Sequence, residues 1–427
     1  MNYETITEVL DFGPFITKAI LHLDNEISGW NPSPSDFHVH VTRTNIGPEV
    51  PWPIFMGPKP DMQMKGHRHV KAAYVSDKEG NKAESGKYVT LEFENHPTHQ
   101  LGSIMVFNGI FNVSVDFKYE IALHDVEGKL GKADTKYVFD NSLGNKIVLG
   151  DLFKTGRHED KEIPLNYVYY DPTGSDVTYT RKDKSSKYPL LIWLHGAGEG
   201  GEEPLIAVIG NKVTNLISEE IQEIFDGAYL LAPQCPTMWM NDGSGEYTLS
   251  GQSIYLEALD RLIGDFISEH PEIDTDRIYI GGDSNGGFMT MKQIIYNQDR
   301  YAAAFPVCEA LVNTAISDED IERLKELPIW FTHSATDTTV NPEEYPITTY
   351  NRLMKAGAKN VHFTYWDKIE DLSGEYKDEN GNPYEYYGHW AWIPMLNNDC
   401  VLDFDKKPVQ CDGKDIHILN WLAKQHK

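Results

Sequence analysis

Ser284 stands in "YIGGDSNGGFMT", residues 279–290, with a glycine two places before it and another two places after. That is G-x-S-x-G. A serine hydroxyl is a weak nucleophile near neutral pH. It needs a histidine to take its proton and a carboxylate to orient that histidine. Both occur downstream: Asp337 in "HSATDTTV" and His389 in "YYGHWAWIP". The order Ser, Asp, His is the one that accompanies a serine held on a sharp strand-to-helix turn. The chemistry expected is acyl transfer. Asp367, Asp371 and Glu309 are rival carboxylates, but the first two follow the last expected strand and are less suited to the role. His333 falls within a strand and precedes the acid, and His417 sits in an expected C-terminal helix, so His389 is taken as the base.

The oxyanion of an acyl transfer must be held by N–H donors. Asn285 N–H follows the serine directly. Ala197 N–H, in "LHGAGEGG" after a central strand, is taken as the second donor, paired with Asn285, with Gly198 as the near alternative. A phosphate-cradling loop is the competing reading of these glycines. It fails because G-x-x-x-x-G-K-[ST] is absent and the glycines come late in the sheet. Trp239, Glu309, Trp390 and Gln234 are candidate substrate contacts, although a tryptophan at such a position serves equally well as packing. No cofactor and no metal are expected. His38, His40, His67 and His69 alternate along two segments and are read as surface histidines. None of Cys235, Cys308, Cys400 and Cys411 forms a C-x-x-C pair. Cys400 and Cys411 flank a short loop that a disulfide could close, but reduced thiols are the expectation for a chain with no visible secretory signal.

These residues need a scaffold. "RIYI" before the serine reads as a buried strand, and "GFMTMKQIIYN" after it is compatible with a helix. Further continuous apolar runs are 189–196, 227–234, 302–307, 328–334 and 361–366, with a helix-spaced stretch at 253–269 between two of them. Such runs alternating with amphipathic helices indicate a mostly parallel sheet covered on both faces. Before about residue 150 the pattern differs. Period-2 segments at 15–24, 37–42, 71–76, 87–94 and 113–119 are separated by turn-rich stretches. That spacing suggests an immunoglobulin-like β-sandwich. Two domains are therefore expected, 1–150 and 151–427.

The chain has 427 residues, with 65 acidic against 38 basic side chains and a formal charge of −27. Like-charge repulsion argues against binding nucleic acid or an anionic membrane surface. No segment approaches the length a membrane helix needs. The N-terminus shows no secretory signal, so a cytoplasmic location is expected, or a secreted one if a signal has been removed.

With these positions assigned, "LHGAGEGG", "APQCP", "IYIGGDSNGGFMT" and "GHWAW" resemble the α/β-hydrolase superfamily. The likeness is to the esterases and peptidase-like members related to polyhydroxybutyrate depolymerases and feruloyl esterases, over roughly residues 160–427. The resemblance implies a Ser284–His389–Asp337 triad and cleavage of short-chain acyl or aryl carboxylic esters. It implies a small-molecule ester as partner and homo-oligomers formed through an N-terminal immunoglobulin-like domain. A serine peptidase of the prolyl-oligopeptidase-like type is the enzymatic alternative. A non-catalytic carbohydrate- or protein-binding module is the alternative from another class. The chain departs from its relatives at Cys308-Glu309-Ala310, which brings a carboxylate near the expected pocket. A second departure is the long acidic insertion 367–388, read as a lid or pocket wall.

Overall fold

The computed structural model describes residues 1–44, 59, 61–182, 186–244 and 248–427. They form two compact units, Met1–Asp151 and Leu152–Lys427.

The first unit runs through β1 (Asn2–Leu10), β2 (Gly13–Ser28), β3 (Phe37–Thr44), β4 (Lys65–Arg68), β5 (Val70–Ser76), β6 (Ser85–Phe93), β7 (Met105–Phe107), β8 (Asn112–Ser114), β9 (Asp116–Asp125), β10 (Thr135–Phe139) and β11 (Asn141–Ile147). Two sheets result, in the orders β11-β1-β2-β6-β5 and β10-β9-β3-β4, with β7 and β8 as a separate ribbon. Period-2 patterning decides which side chains face inward. Strand β1 buries Tyr3, Thr5, Thr7 and Val9, and β3 buries Phe37, Val39 and Val41. The two inner faces meet through Tyr119 of β9, whose ring centroid lies 6.3 Å from Tyr3 and 5.6 Å from Phe93. This is the immunoglobulin-like unit expected. His40 and His67 are register partners across β3 and β4, and His38 and His69 are exposed.

The second unit contains β12 (Lys154–His158), β13 (Leu165–Tyr170), β14 (Tyr188–Leu194), α1 (Ile206–Ile209), α2 (Glu219–Phe225), β15 (Tyr229–Gln234), α3 (Leu256–Glu269), β16 (Ile273–Asp283), α4 (Asn285–Tyr296), β17 (Ala303–Val307), α5 (Asp318–Leu324), β18 (Ile329–Ser334), α6 (Pro346–Lys355), β19 (Val361–Trp366), α7 (Trp392–Leu396), the small hairpin β20 (Gln410–Cys411) and β21 (Lys414–Asp415), and α8 (Ile418–Leu422). One sheet in the order β12-β13-β15-β14-β16-β17-β18-β19 organises it. Strands β12 and β13 pair antiparallel with their neighbours, and every later pair is parallel. Strands β15, β17 and β18 are buried along their whole length, which is why they read as unbroken apolar runs. Helix α3 buries Ala258, Leu259, Leu262, Ile263 and Phe266, one stripe at helical spacing.

Strand β12 has no counterpart in the sequence reading. "KTGRH" is an edge strand with no fully buried residue, so it carries no apolar alternation, and pairing with β13 alone defines it. His417 is the residue before α8 rather than part of it, and its Nδ1 hydrogen-bonds the Asn398 carbonyl at 2.6 Å.

Candidate active site

Strand β16 ends at Asp283 and α4 begins at Asn285, so Ser284 alone makes the turn. It does so at φ 55°, ψ −110°. A non-glycine residue at positive φ is strained and persists only where its surroundings hold it. Ser284 N–H donates to the Val307 carbonyl at 2.9 Å, and the Ser284 carbonyl accepts from Phe288 N–H at 2.9 Å. The flanking glycines are required sterically. A Cβ on Gly282 or on Gly286 would collide with the Leu194 carbonyl, so the turn packs against the end of β14 only without side chains. Ser284 is partly exposed, while Asp283 and Asn285 are buried. Among the described residues, no hydrogen bond joins the Ser284 hydroxyl to His389. Such bonds commonly tighten only when substrate is bound.

His389 and Asp337 come together from loops after β19 and β18. His389 Nδ1 lies 2.7 Å from Asp337 Oδ2. The bond commits Nδ1 as donor and leaves Nε2 as the acceptor a base requires. Asp337 is saturated with donors. Oδ1 accepts from Thr339 N–H at 2.8 Å and Val340 N–H at 3.0 Å, and Oδ2 also lies 3.0 Å from His333 Nε2. Burial raises the Asp337 carboxyl, but the bonds from His333 and His389 outweigh it and hold the group below the usual carboxylate range. The rival acids are engaged elsewhere. Asp367 pairs with Lys406 at 2.9 Å. Asp371 accepts from Ser373 and Tyr376 inside its own loop.

Cys308 joins this pair to the serine turn. It follows Val307, sits at φ 47°, and its thiol donates to the His389 carbonyl at 3.2 Å. One ligating atom each from Cys308, Asp337 and His389 lies within 4.8 Å of the others. Burial, with Asp337 and Asp283 nearby, drives the Cys308 thiol well above its ordinary value, so it stays protonated and serves as a donor. A protonated, buried thiol is a poor metal ligand.

Ala197 opens the short 3₁₀ turn after β14, and Asn285 is the first residue of α4. Neither N–H has an acceptor among the described residues. The loop is anchored from several sides. His195 bonds the Gly196 carbonyl through Nδ1 at 2.6 Å and accepts Cys235 N–H on Nε2 at 3.1 Å. Burial lowers His195 to about 4, so it is a neutral pin and not a second base. A Cβ on Gly196 would meet Asp283 Oδ2 at 2.6 Å and Glu199 Oε2 at 3.0 Å, so two carboxyls crowd this point. Asn211 Nδ2 donates to Asp283 Oδ2 at 3.1 Å. Burial and then Glu199 push the Asp283 carboxyl well above the ordinary range.

The four expected substrate contacts separate. Gln234 is buried and its Nε2 donates to the Glu199 and Glu203 carbonyls at 2.8 and 2.9 Å, holding the Ala197 loop. Trp239 is fully buried, with its ring 5.1 Å from His195 and 5.9 Å from Tyr255. Glu309 is fully buried, with Oε1 turned back to Leu311 N–H and Oε2 without a partner. Trp390 alone is partly exposed, between Tyr386 and Trp392. Cys400 and Cys411 are both free thiols. The insertion 367–388 folds on itself, with Asp371 N–H on the Tyr384 carbonyl at 2.8 Å and Tyr386 N–H on the Ile369 carbonyl at 2.8 Å. A surface cleft lined by His158, Asp160, Arg261 and Asp265 shares none of the site residues.

Sequence reasoning missed His333 as a partner of Asp337. The available signal was its spacing: His333 stands near the end of β18, four residues before the acid in the loop that follows. It also missed Glu199 and Asn211, whose approach to Asp283 depends on the tertiary fold.

Residues 2–135 match the family described as Esterase Ig-like N-terminal domain. Residues 177–371 match the family described as Phospholipase/Carboxylesterase, a range that includes Ser284 and Asp337 and stops before His389. Over 264 residues the chain is 31% identical to an uncharacterized secreted protein of Arthroderma benhamiae, covering 54% of this chain and 24% of that one. The match thus spans about a quarter of that relative's length. A solved thermostable esterase is similar over 100% of this chain and 99% of its own, with a TM-score of 0.75 and 24% identity, which shows a shared fold. Pyrococcus horikoshii acylaminoacyl peptidase covers 72% of this chain and 50% of its own at 14% identity and a TM-score of 0.41, too partial a likeness to bear on function. The two family matches thus fall one on each unit, and the likeness over the full length shows the shared fold: an esterase Ig-like N-terminal domain followed by an α/β-hydrolase unit.

Proposed function

We propose that this protein hydrolyses carboxylic esters of short-chain acyl or aryl type through Ser284, His389 and Asp337, by way of an acyl-enzyme. The observation that carries the reading is the strained Ser284 on its glycine-cleared turn, tied through Val307 and Cys308 to a His389 already oriented by Asp337. His389 Nε2 takes the hydroxyl proton as Ser284 Oγ attacks the ester carbonyl. The N–H groups of Ala197 and Asn285, which have no acceptor within the described residues, receive the oxyanion. His389 then returns the proton to the departing alcohol. Water, deprotonated by the same nitrogen, releases the acid and restores Ser284. The likeness to a thermostable esterase supports ester over peptide cleavage.

The Ig-like unit, taken as 1–150, is read as a separate module through which copies associate, and sedimentation of the intact protein tests that. The secreted description of the Arthroderma relative supports the extracellular alternative for location. No helix among the described residues is long and apolar enough to cross a membrane.

The direct test is an organophosphonate probe with mass mapping, alongside turnover of p-nitrophenyl acetate and a panel of aminoacyl amides. An adduct on Ser284 with ester turnover supports the proposal. Amide turnover without ester turnover would move the reading to a serine peptidase. A folded protein that forms no adduct would favour a binding module.

A further inference from the structure

Asp337 Oδ2 faces two histidines. His389 Nδ1 approaches at 2.7 Å and His333 Nε2 at 3.0 Å. His333 Nε2 also lies 3.0 Å from the Val340 carbonyl. A carbonyl oxygen only accepts, so the proton of His333 is on Nε2 and is shared between Val340 O and Asp337 Oδ2. Its Nδ1 is buried with no partner. His333 is fully buried in β18, and Asp337 lies in the loop directly after that strand. Ionisable neighbours on the flanking strands are Cys308, just after β17, whose N–H donates to the carbonyl of the adjacent Thr332, and Tyr365, the register partner of His333 on β19. Burial raises both, so neither brings charge to the pair at neutral pH.

We propose that His333 is a positioning residue that sets the strength of the triad, fixing Asp337 and dividing the acceptor capacity of Oδ2 between itself and His389. The inference rests on the triad reading above. Two things follow from the shared oxygen. The Val340 carbonyl and Asp337 Oδ2 are clamped by one rigid imidazole, so the acid loop cannot rotate without breaking both contacts. The carboxylate is also a weaker acceptor toward His389 than it would be with that donor removed, because its negative charge already answers a second N–H. His333 thereby keeps the base from holding its proton too tightly.

The test compares His333→Leu, which removes the N–H, with His333→Gln, whose amide reaches a similar point. For His333→Leu, kcat on p-nitrophenyl acetate should fall about tenfold with KM within about twofold. The acid limb of kcat/KM should move to higher pH by about 0.5–1 unit. His333→Gln should restore most of both. A folded His333→Leu enzyme with the wild-type pH profile overturns the proposal, whatever its kcat. If His333→Leu does not fold, His333→Asn takes its place, since its shorter amide falls short of Oδ2, and the same criteria apply. Asp337→Asn separates the two levels. If it keeps wild-type activity, the triad reading itself fails. If it is inactive while His333→Leu behaves as wild type, only the role given to His333 fails.

Discussion

The Cys308 thiol donates a hydrogen bond to the main-chain carbonyl of His389 across 81 residues of sequence, at 3.2 Å. Its neighbour Val307 accepts from Ser284 N–H. Two consecutive residues therefore hold the serine turn and the histidine loop at one distance. Replacing Cys308 by alanine should lower kcat about three- to tenfold with little change in KM, read from steady-state ester hydrolysis. The native protein should resist thiol reagents at Cys308, because the sulfur is buried and stays protonated. Modification of the folded protein at that position within minutes would contradict this.

Ser284→Ala and His389→Ala should each lower kcat by about a thousandfold or more, and the double variant should be no worse than either alone, since the groups act as one unit. Circular dichroism should show both folded. An additive loss in the double variant would argue for independent roles.

Gly286→Ala is expected to be costly despite adding a single methyl group. The new Cβ would collide with the Leu194 carbonyl and approach the His195 carbonyl at 2.8 Å, and backbone there cannot give way without moving β14. Melting should drop by several degrees, with activity lost in the soluble fraction. A melting temperature within one degree of wild type would mean that the turn relaxes freely.

Gln234→Leu distinguishes a structural from a substrate role. Both donors of the Gln234 amide go to carbonyls of the loop that carries Ala197. Loosening that loop should reduce kcat and spare KM, because the oxyanion is bound only in the transition state. A rise in KM with unchanged kcat would return Gln234 to the substrate contacts.

Glu309 gives a pH signature in stability. Burial raises its carboxyl to about 8 from an ordinary value of 4.5. In the folded state it keeps a proton that the unfolded chain releases, so stability falls as pH rises from about 4.5 to about 8 and levels off above. Glu309→Gln removes that dependence. Relative to wild type it should gain stability from pH 5 to pH 8, by up to a few kcal/mol. Chemical denaturation at pH 5 and pH 8 measures this, and parallel curves for the two proteins at both pH values would contradict it.

The sequence by itself determined the elements whose burial leaves a periodic trace. Period-2 runs marked β2, β3, β5 and β6, and unbroken apolar runs marked β14 to β19; the contrast is cleanest between β3, which is buried on one face and alternates, and β18, which is buried on both and does not. It also marked Ser284, since a turn this tight against Leu194 admits only glycine on either side. What the tertiary structure alone decided is which distant groups meet. Strand order favoured Asp337 over Asp367, Asp371 and Glu309, but only loop geometry brings its carboxylate, and none of those three, to His389. His333 was set aside as a strand residue, yet it reaches the acid because β18 ends one short loop before Asp337. Glu309 looked like a pocket group and is wholly buried. The physical reason is common to these cases. Local patterning reports whether a residue is buried, while its hydrogen-bond partners and proton affinity depend on how the folded backbone aims it, whether the partner is 52 residues away, as His389 is from Asp337, or four, as His333 is.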